Sequence, residues 1–204
     1  EVTAATATIN DANGTAVAAT ELSAIGGATT GTVTVSNAID ITGSTDQVTA
    51  ALVTAGTLVE VTDVTVTIND TPTIGELNAI AAKTTGVVTA TLAANSLANL
   101  GALTTASTDL ITITVNDNAG DALTAANLST LGGKTAGTVT VSNAVVITGD
   151  HDQLTAALVT AGTKVEVTDA AVTMNDANDT AVAATELSAI GGATTGTVTV
   201  SNAI

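Results

Sequence analysis

The sequence predicts an α/β repeat protein: a right-handed β/α solenoid with one parallel sheet, short α- or 3₁₀-helices on the other side, and about 23–33 residues per coil. Three observations predict it. The chain repeats itself at long range. Strictly alternating Thr and Val or Ile segments recur at short range. Between them lie apolar pairs at helical spacing, closed by glycines.

Residues 1–39 match residues 166–204 at 34 of 39 positions, differing only at 4, 6, 7, 9 and 14. Residues 31–70 match 137–176 at 31 of 40 positions. The chain is therefore a little more than one super-repeat of 165 residues, expected as a single continuous solenoid over 1–204 with about eight coils. No atypical capping repeat is legible at either end. The near-identical ends make continuation end to end, in a longer chain or by self-association, the expected partner.

The alternating segments are TATIND (6–11), TVTVSN (32–37), TVTIND (65–70), TATLAAN (89–95), TITVND (112–117), TVTVSN (138–143), AVTMND (171–176) and TVTVSN (197–202). Period-two alternation of β-branched residues reads as strand. Val33, Val35, Val66, Ile68, Ile113, Val115, Val139 and Val141 are predicted to face the core. Thr32, Thr34, Thr65, Thr67, Thr112, Thr114, Thr138, Thr140, Thr197 and Thr199 are predicted to face solvent as a surface array.

Leu22/Ile25, Val48/Leu52, Ile74/Leu77/Ile80, Leu97/Leu100/Leu103, Leu128/Leu131, Leu154/Leu158 and Leu187/Ile190 carry the three- or four-residue spacing of a one-faced short helix. Gly26-Gly27, Gly132-Gly133 and Gly191-Gly192 follow where a left-handed C-cap is expected. Pro72 is expected at a helix start, where its missing N–H costs little. Two intervals carry extra text, IDITG and LVEVTD or their sisters, expected as an added strand or a bulging loop.

Composition narrows the function classes. The 204 residues include no Phe, Tyr, Trp or Cys, and 45 are Thr. A core without aromatics must be thin and filled by stacked aliphatics. Disulfides, thiolate metal sites and Cys nucleophiles are excluded. Nineteen acidic residues against three basic ones, a formal charge of −16, argue against nucleic acid. No apolar run reaches the length of a membrane span.

The Asn/Asp row at the strand ends is the first candidate site. Asp11, Asn37, Asp70, Asp117, Asn143, Asp176 and Asn202 hold equivalent places. They read as a polar ladder bonding the turning backbone. The rival reading is Ca²⁺, which takes six to eight hard oxygen ligands, with Asp11, Asp70, Asp117, Asp121, Asp176 and Asp179 as candidates. The Thr-x-Thr array is the second, read as solvent-facing strand surface, with an ice-binding face as its rival. His151, the single His, is expected on an exposed loop; its sister position is Thr45. Lys83 and Lys134 are expected on solvated surface. Asn13–Thr15 and Asn178–Thr180 carry acceptor motifs for glycosylation. No nucleophile elbow or oxyanion signature is present, so the expectation is a protein that is not an enzyme.

The apolar-x-apolar-x-x-Asn strands followed by short Leu-containing helices resemble leucine-rich repeats, with Val and Ile replacing Leu in the strands. The wording TGTVTVSNA…LTAALVTAGT…VTVTINDTPT…ELNAIAAKTTG also resembles the Thr/Ala-rich giant repeat proteins of cyanobacteria and other aquatic bacteria. That resemblance implies an extracellular or bacterial cell-surface location and a structural role in a filament, sheath or surface layer. Its alternative is an adhesin or stalk module using Ca²⁺ at the Asx-rich turns or an ice-binding Thr face. It carries no catalytic motif across.

Overall fold

Thr–Val alternation produces a strand in each of the eight expected segments, but the chain inserts further strands between them. The computed structural model describes residues 4–56 and 59–203. They divide into two compact units, residues up to Leu92 with Thr104–Ile111, and Ala93–Leu103 with Thr112 onward.

The first unit runs β1 (Ala7–Ile9), β2 (Ala16–Ala18), α1 (Ala19–Gly27), β3 (Val33–Val35), β4 (Asp40–Gly43), α2 (Thr45–Val48), a π-helical turn (Thr49–Val53), β5 (Val59–Glu60), β6 (Thr65–Ile68), α3 (Ile74–Ala81) and β7 (Val88–Thr91). The second carries α4 (Leu97–Leu100), most of β8 (Leu110–Val115), β9 (Ala122–Thr124), α5 (Ala125–Gly132), β10 (Val139–Val141), β11 (Val146–Gly149), α6 (His151–Leu154) and a π-helical turn (Thr155–Val159). A 3₁₀ turn (Ala161–Thr163), β12 (Val165–Val167), β13 (Ala171–Met174), α7 (Ala184–Gly192) and β14 (Val198–Val200) complete it.

All named strand pairs are parallel, as expected, but one sheet is not what they form. In the first unit β1-β3-β5 make one ladder and β2-β4-β6-β7 another. In the second unit β8-β10-β12 and β9-β11-β13-β14 do the same. The registers explain why. Ala7 faces Val33 and Val33 faces Val59; Asp40 faces Thr65; Val66 faces Val88. Ile113 faces Val139, which faces Val165, and Val146 faces Ala171. Partners are thus 22 to 26 residues apart. The 33-residue interval between TVTVSN and TVTIND is one such period plus seven residues, enough to enter the neighbouring ladder. The extra text is indeed strand: DITG is β4, and the described part of LVEVTD begins β5, Leu58 lying outside the described residues. Short strands at 16–18 and 122–124 complete the pattern without any alternating Thr-x-Thr signal.

The core is where alternation puts it. Val33, Val66, Ile68, Ile113, Val115, Val139 and Val141 are all buried, as are Leu77, Ile80, Leu100, Leu128 and Leu131 on the helices. Burying one such aliphatic side chain is worth about 1.5–3 kcal/mol. Stacking many of them replaces the missing aromatics.

The helix boundaries differ from expectation in two places. Ala28, Gly133 and Ala193, which end α1, α5 and α7, are right-handed (φ −84°, −70° and −81°), so the double glycines are not left-handed caps. Among the described glycines positive φ occurs at Gly14 and Gly120, in the turns that lead into β2 and β9. Gly132 has a different reason: a Cβ there would sit 2.0 Å from the Thr163 carbonyl oxygen. Pro72 lies one residue before the α3 cap. Thr73 is the N-cap, and its hydroxyl and Glu76 form a reciprocal capping box.

Candidate functional site

Each strand of the TVTV type ends in Asn or Asp because the chain must turn there, and the turn leaves backbone groups that short polar side chains can reach. Those side chains bond across to the module one period earlier. Asn37 Nδ2 donates to the Asp11 carbonyl at 2.6 Å, Asn143 Nδ2 to the Asp117 carbonyl at 2.7 Å, and Asn202 Nδ2 to the Asp176 carbonyl at 2.5 Å. The aspartates reach a different target, the first turn of the preceding helix. Asp70 Oδ1 accepts from the Thr45 N–H at 2.7 Å and the Thr45 hydroxyl at 2.6 Å. Asp117 Oδ2 accepts from the Leu97 N–H at 2.7 Å. Asp176 Oδ2 accepts from the His151 N–H at 2.9 Å, while Oδ1 lies 2.6 Å from His151 Nδ1. A carboxylate at an unsatisfied helix N–H is favourable both as hydrogen bond and as charge against the helix dipole.

The electrostatics follow from these contacts. The Thr45 hydroxyl, and then its N–H, hold the Asp70 carboxyl below the usual range. The Thr73 N–H and hydroxyl do the same to Glu76. The Asp176 hydrogen bond raises the His151 imidazole above its ordinary value against a desolvation that lowers it, and the charges of Asp152 and Asp176 add to the rise. His151 is therefore not an exposed loop residue. It is the first residue of α6, with 18% of its side chain exposed, between Asp176 and Asp152, whose Oδ1 lies 3.4 Å from Nε2. Sequence reasoning missed this because the partner lies 25 residues downstream.

The remaining Ca²⁺ candidates have other surroundings. Asp121 Oδ2 accepts from the Asn118 N–H and Nδ2 at 2.8 and 3.1 Å. Asp179 takes a left-handed φ of 62°, and its N–H donates to the Ala203 carbonyl. Asp11 is exposed, its backbone carbonyl held by Asn37. Among the described residues, no three His, Asp or Glu side chains gather into a metal-holding group.

The Thr array is divided by the two-ladder arrangement. Thr34 faces Thr8 on one side and Glu60 on the other; Thr140 faces Thr114 and Glu166. Thr67 faces Thr42 and Thr89. The longest in-register file among the described residues is Thr124–Thr148–Thr173–Thr199, which uses three positions outside the expected array. Thr32, Thr65, Thr112, Thr138 and Thr197 also lie outside the core.

A second set of cross-links escaped the sequence reading. Thr29, Thr84, Thr135 and Thr194 each accept the N–H of the glycine two residues on, at 2.8–3.0 Å. Three of these hydroxyls also donate to the module below: Thr29 to the Ala5 carbonyl, Thr84 to Val64, Thr194 to Ala170, at 2.5–2.7 Å. The glycines are required by proximity. A Cβ at Gly31, Gly86 or Gly196 would lie 2.3 Å from those same carbonyl oxygens. The signal was the recurrent Thr-x-Gly before a strand, in TTG at 29–31, 84–86 and 194–196 and TAG at 135–137. Asp109 is a further case: buried, it accepts the Val88 and Ala106 N–H groups at 2.8 Å each. Lys134, expected on solvated surface, is half-buried and donates from Nζ to the Gly101 carbonyl at the end of α4.

A groove of about 400 Å³ in the first unit is lined by Thr20, Ser23, Ala24, Asp46, Gln47 and Ala50. It sets one carboxylate beside hydroxyl, amide and methyl groups, with no base positioned against a nucleophile. Among the described residues no helix is long and apolar enough to cross a membrane. Neither a family model, nor a curated protein, nor a solved structure matches this chain.

Proposed function

We propose that this chain is a non-enzymatic extracellular structural repeat protein, part of a filament, sheath or cell-surface layer, whose modules wind as a right-handed β/α solenoid. Crossovers between parallel strands are right-handed in nearly all proteins, which supports that hand. One observation carries the reading. Side chains that would do chemistry elsewhere, among them Asn37, Asp70, Thr84, Asp117, Asn143, Asp176, Thr194 and Asn202, are bonded to backbone 20 to 26 residues away, and the His151 ring is bonded to the Asp176 carboxylate. Such a polar seam locks each module to its neighbour. Negative-stain microscopy of the native material tests it: fibres or sheets of uniform width are expected, and dispersed globular particles would remove the reading.

The second reading, an adhesin or stalk with a hydroxyl or Ca²⁺ surface, is favoured by the in-register file Thr124–Thr148–Thr173–Thr199. In that reading Thr hydroxyls about 4.8 Å apart along the ladder meet ice, or the exposed Asp11, Asp121 and Asp179 take Ca²⁺. Thermal hysteresis tests the first version. A rise in melting temperature at millimolar Ca²⁺ tests the second, since a ligand that binds only the folded chain must stabilise it.

A further inference from the structure

Three described turns share one geometry. In each, a backbone N–H donates to the carbonyl three residues back: Thr15 to Ala12 at 3.0 Å, Asp121 to Asn118 at 3.0 Å, and Thr180 to Ala177 at 3.2 Å. The third residue of each is left-handed, with φ of 74° at Gly14, 85° at Gly120 and 62° at Asp179. Its N–H donates to the carbonyl of Ala38, Ala144 or Ala203 in the following module, each at 2.8 Å. The bend is thereby pinned, and its tip stays outside: residues 12–14, 118–120 and 177–179 are all exposed. The middle turn is flanked by modules on both sides. Leu97 donates to Asp117 and Asn95 bridges Val115 before it, and β9 pairs with β11 after it. Exposure of the tip therefore belongs to the turn itself, whatever stacks on either side.

The tips differ in chemistry. Asn13 and Asn178 take the second place of the first and third turns, with Thr15 and Thr180 two residues on; the middle turn has Ala119 and Asp121 there. Asn-x-Thr, with x any residue but Pro, is the acceptor triplet for asparagine glycosylation. Here x is left-handed, which excludes Pro on its own account, since its ring fixes φ near −65°. Of the five differences between 1–39 and 166–204, the one inside this turn is Gly14 against Asp179, the place the triplet leaves free. Both carboxamides are accessible. Asn13 engages only its Oδ1, which accepts from the Ala38 N–H at 3.2 Å, and among the described residues nothing bonds the Asn178 side chain.

Two other triplets lack the turn. In Asn69-Asp70-Thr71 the Asn69 N–H donates to the Gly43 carbonyl, Asp70 is held by Thr45, and Pro72 keeps Thr71 extended. Asn127-Leu128-Ser129 lies within α5, with Leu128 buried.

We infer that Asn13 and Asn178 are glycosylation sites, each taking a sugar from a glycosyl diphosphate donor. The Nδ2 atom attacks the anomeric carbon, and the new N–C bond replaces the C–O bond to the diphosphate. The diphosphate leaves with the bonding pair, and Nδ2 gives up a proton to a base of the transferase. Oδ1 is untouched, so the Ala38 bond to Asn13 is kept. The inference deepens the extracellular reading above and rests on it, because this triplet is used on surface turns of secreted proteins.

Peptide mass spectrometry of the full chain recovered from its native source tests this, with fragmentation that leaves glycans on their side chains. Sugar mass is expected on Asn13 and Asn178, and on neither Asn69 nor Asn127. A single hexose identifies a nucleotide sugar as donor, and an oligosaccharide identifies a polyprenyl-linked one. Thr15→Ala and Thr180→Ala, made in the same host, are each expected to abolish occupancy at their own site alone, while Thr15→Ser and Thr180→Ser retain it. Either asparagine found bare, Asn69 or Asn127 occupied to the same extent, or occupancy unchanged in the Ala variants would each overturn the inference. Fibres built from a bare chain remove this inference alone, and a glycosylated chain without fibres removes the filament reading alone.

Discussion

Residues 44–70 and 150–176 are the same module written twice, 106 residues apart, with seven differences. In the first, Ser44 caps α2 and Thr45 donates to Asp70. In the second, Asp150 caps α6 and His151 engages Asp176. Gln47 and Gln153 return the same bond to the cap N–H. One strand pair changes likewise: the Thr65 hydroxyl donates to Asp40 across β4 and β6, and the equivalent pair across β11 and β13 is Val146 and Ala171. The contacts persist while their chemistry changes: Asp70/Asp176 and Gln47/Gln153 stay constant as one partner changes, whereas Asp40 and Thr65 are replaced together. Replacing a polar pair by an apolar pair of suitable shape costs little, whereas removing one partner strands the other.

The largest effect expected within this comparison is Leu154→Ala, which empties a fully buried site and should lower stability by about 2–5 kcal/mol in urea unfolding. Val48→Ala at the sister site should cost less, because the side chain removed is smaller. Equal costs would mean that the two modules pack differently. Next comes the carboxylate. Asp176→Ala should cost about 1–3 kcal/mol, because it strands the His151 N–H and ring at a buried site. Asp70→Ala, at an exposed site, should lower the melting temperature by a smaller margin.

The pH profiles should then separate the two modules. His151 binds its proton more tightly in the folded chain, so its contribution is complete below its ordinary value of 6.5. It is lost as pH rises through the elevated folded-state value. The urea midpoint should fall over that interval, and His151→Thr should flatten it. Asp70 runs the other way. Its depressed folded-state value gives stability that is present above 3.8 and lost as pH falls through the folded value, and Thr45→Val should diminish that acid limb. The smallest expected effect is the strand pair. Asp40→Val alone should destabilise, and adding Thr65→Ala should recover most of the loss, with a coupling of about 0.5–1.5 kcal/mol in a double-mutant cycle.

Much of the fold was legible because it is local. Val33 and Val35 bury and Thr34 does not, since side chains alternate along any strand. Leu128 and Leu131 bury together because they share a helix face. The sheet count was not legible. Short strands such as Ala16–Ala18 carry no alternating signal of their own and exist because β4 pairs with them. The Asx row was recognised as a ladder, yet its division of labour was not, because Asn reaches a strand-end carbonyl and Asp a helix start 20 to 25 residues away.

By itself the sequence determined the parallel α/β class, the aliphatic core and the place of each Thr-Val strand, all of which follow from side-chain period and residue type. Tertiary structure alone decided the 22–26-residue register, the need for Gly31, Gly86 and Gly196 beside a neighbouring carbonyl, and the partners of Asp70, Asp176 and His151. Those depend on distances between backbones from different modules, which no local pattern encodes. For the same reason identical residues differ: Ile25 meets solvent and Ile190 does not, because burial belongs to the neighbour as much as to the side chain.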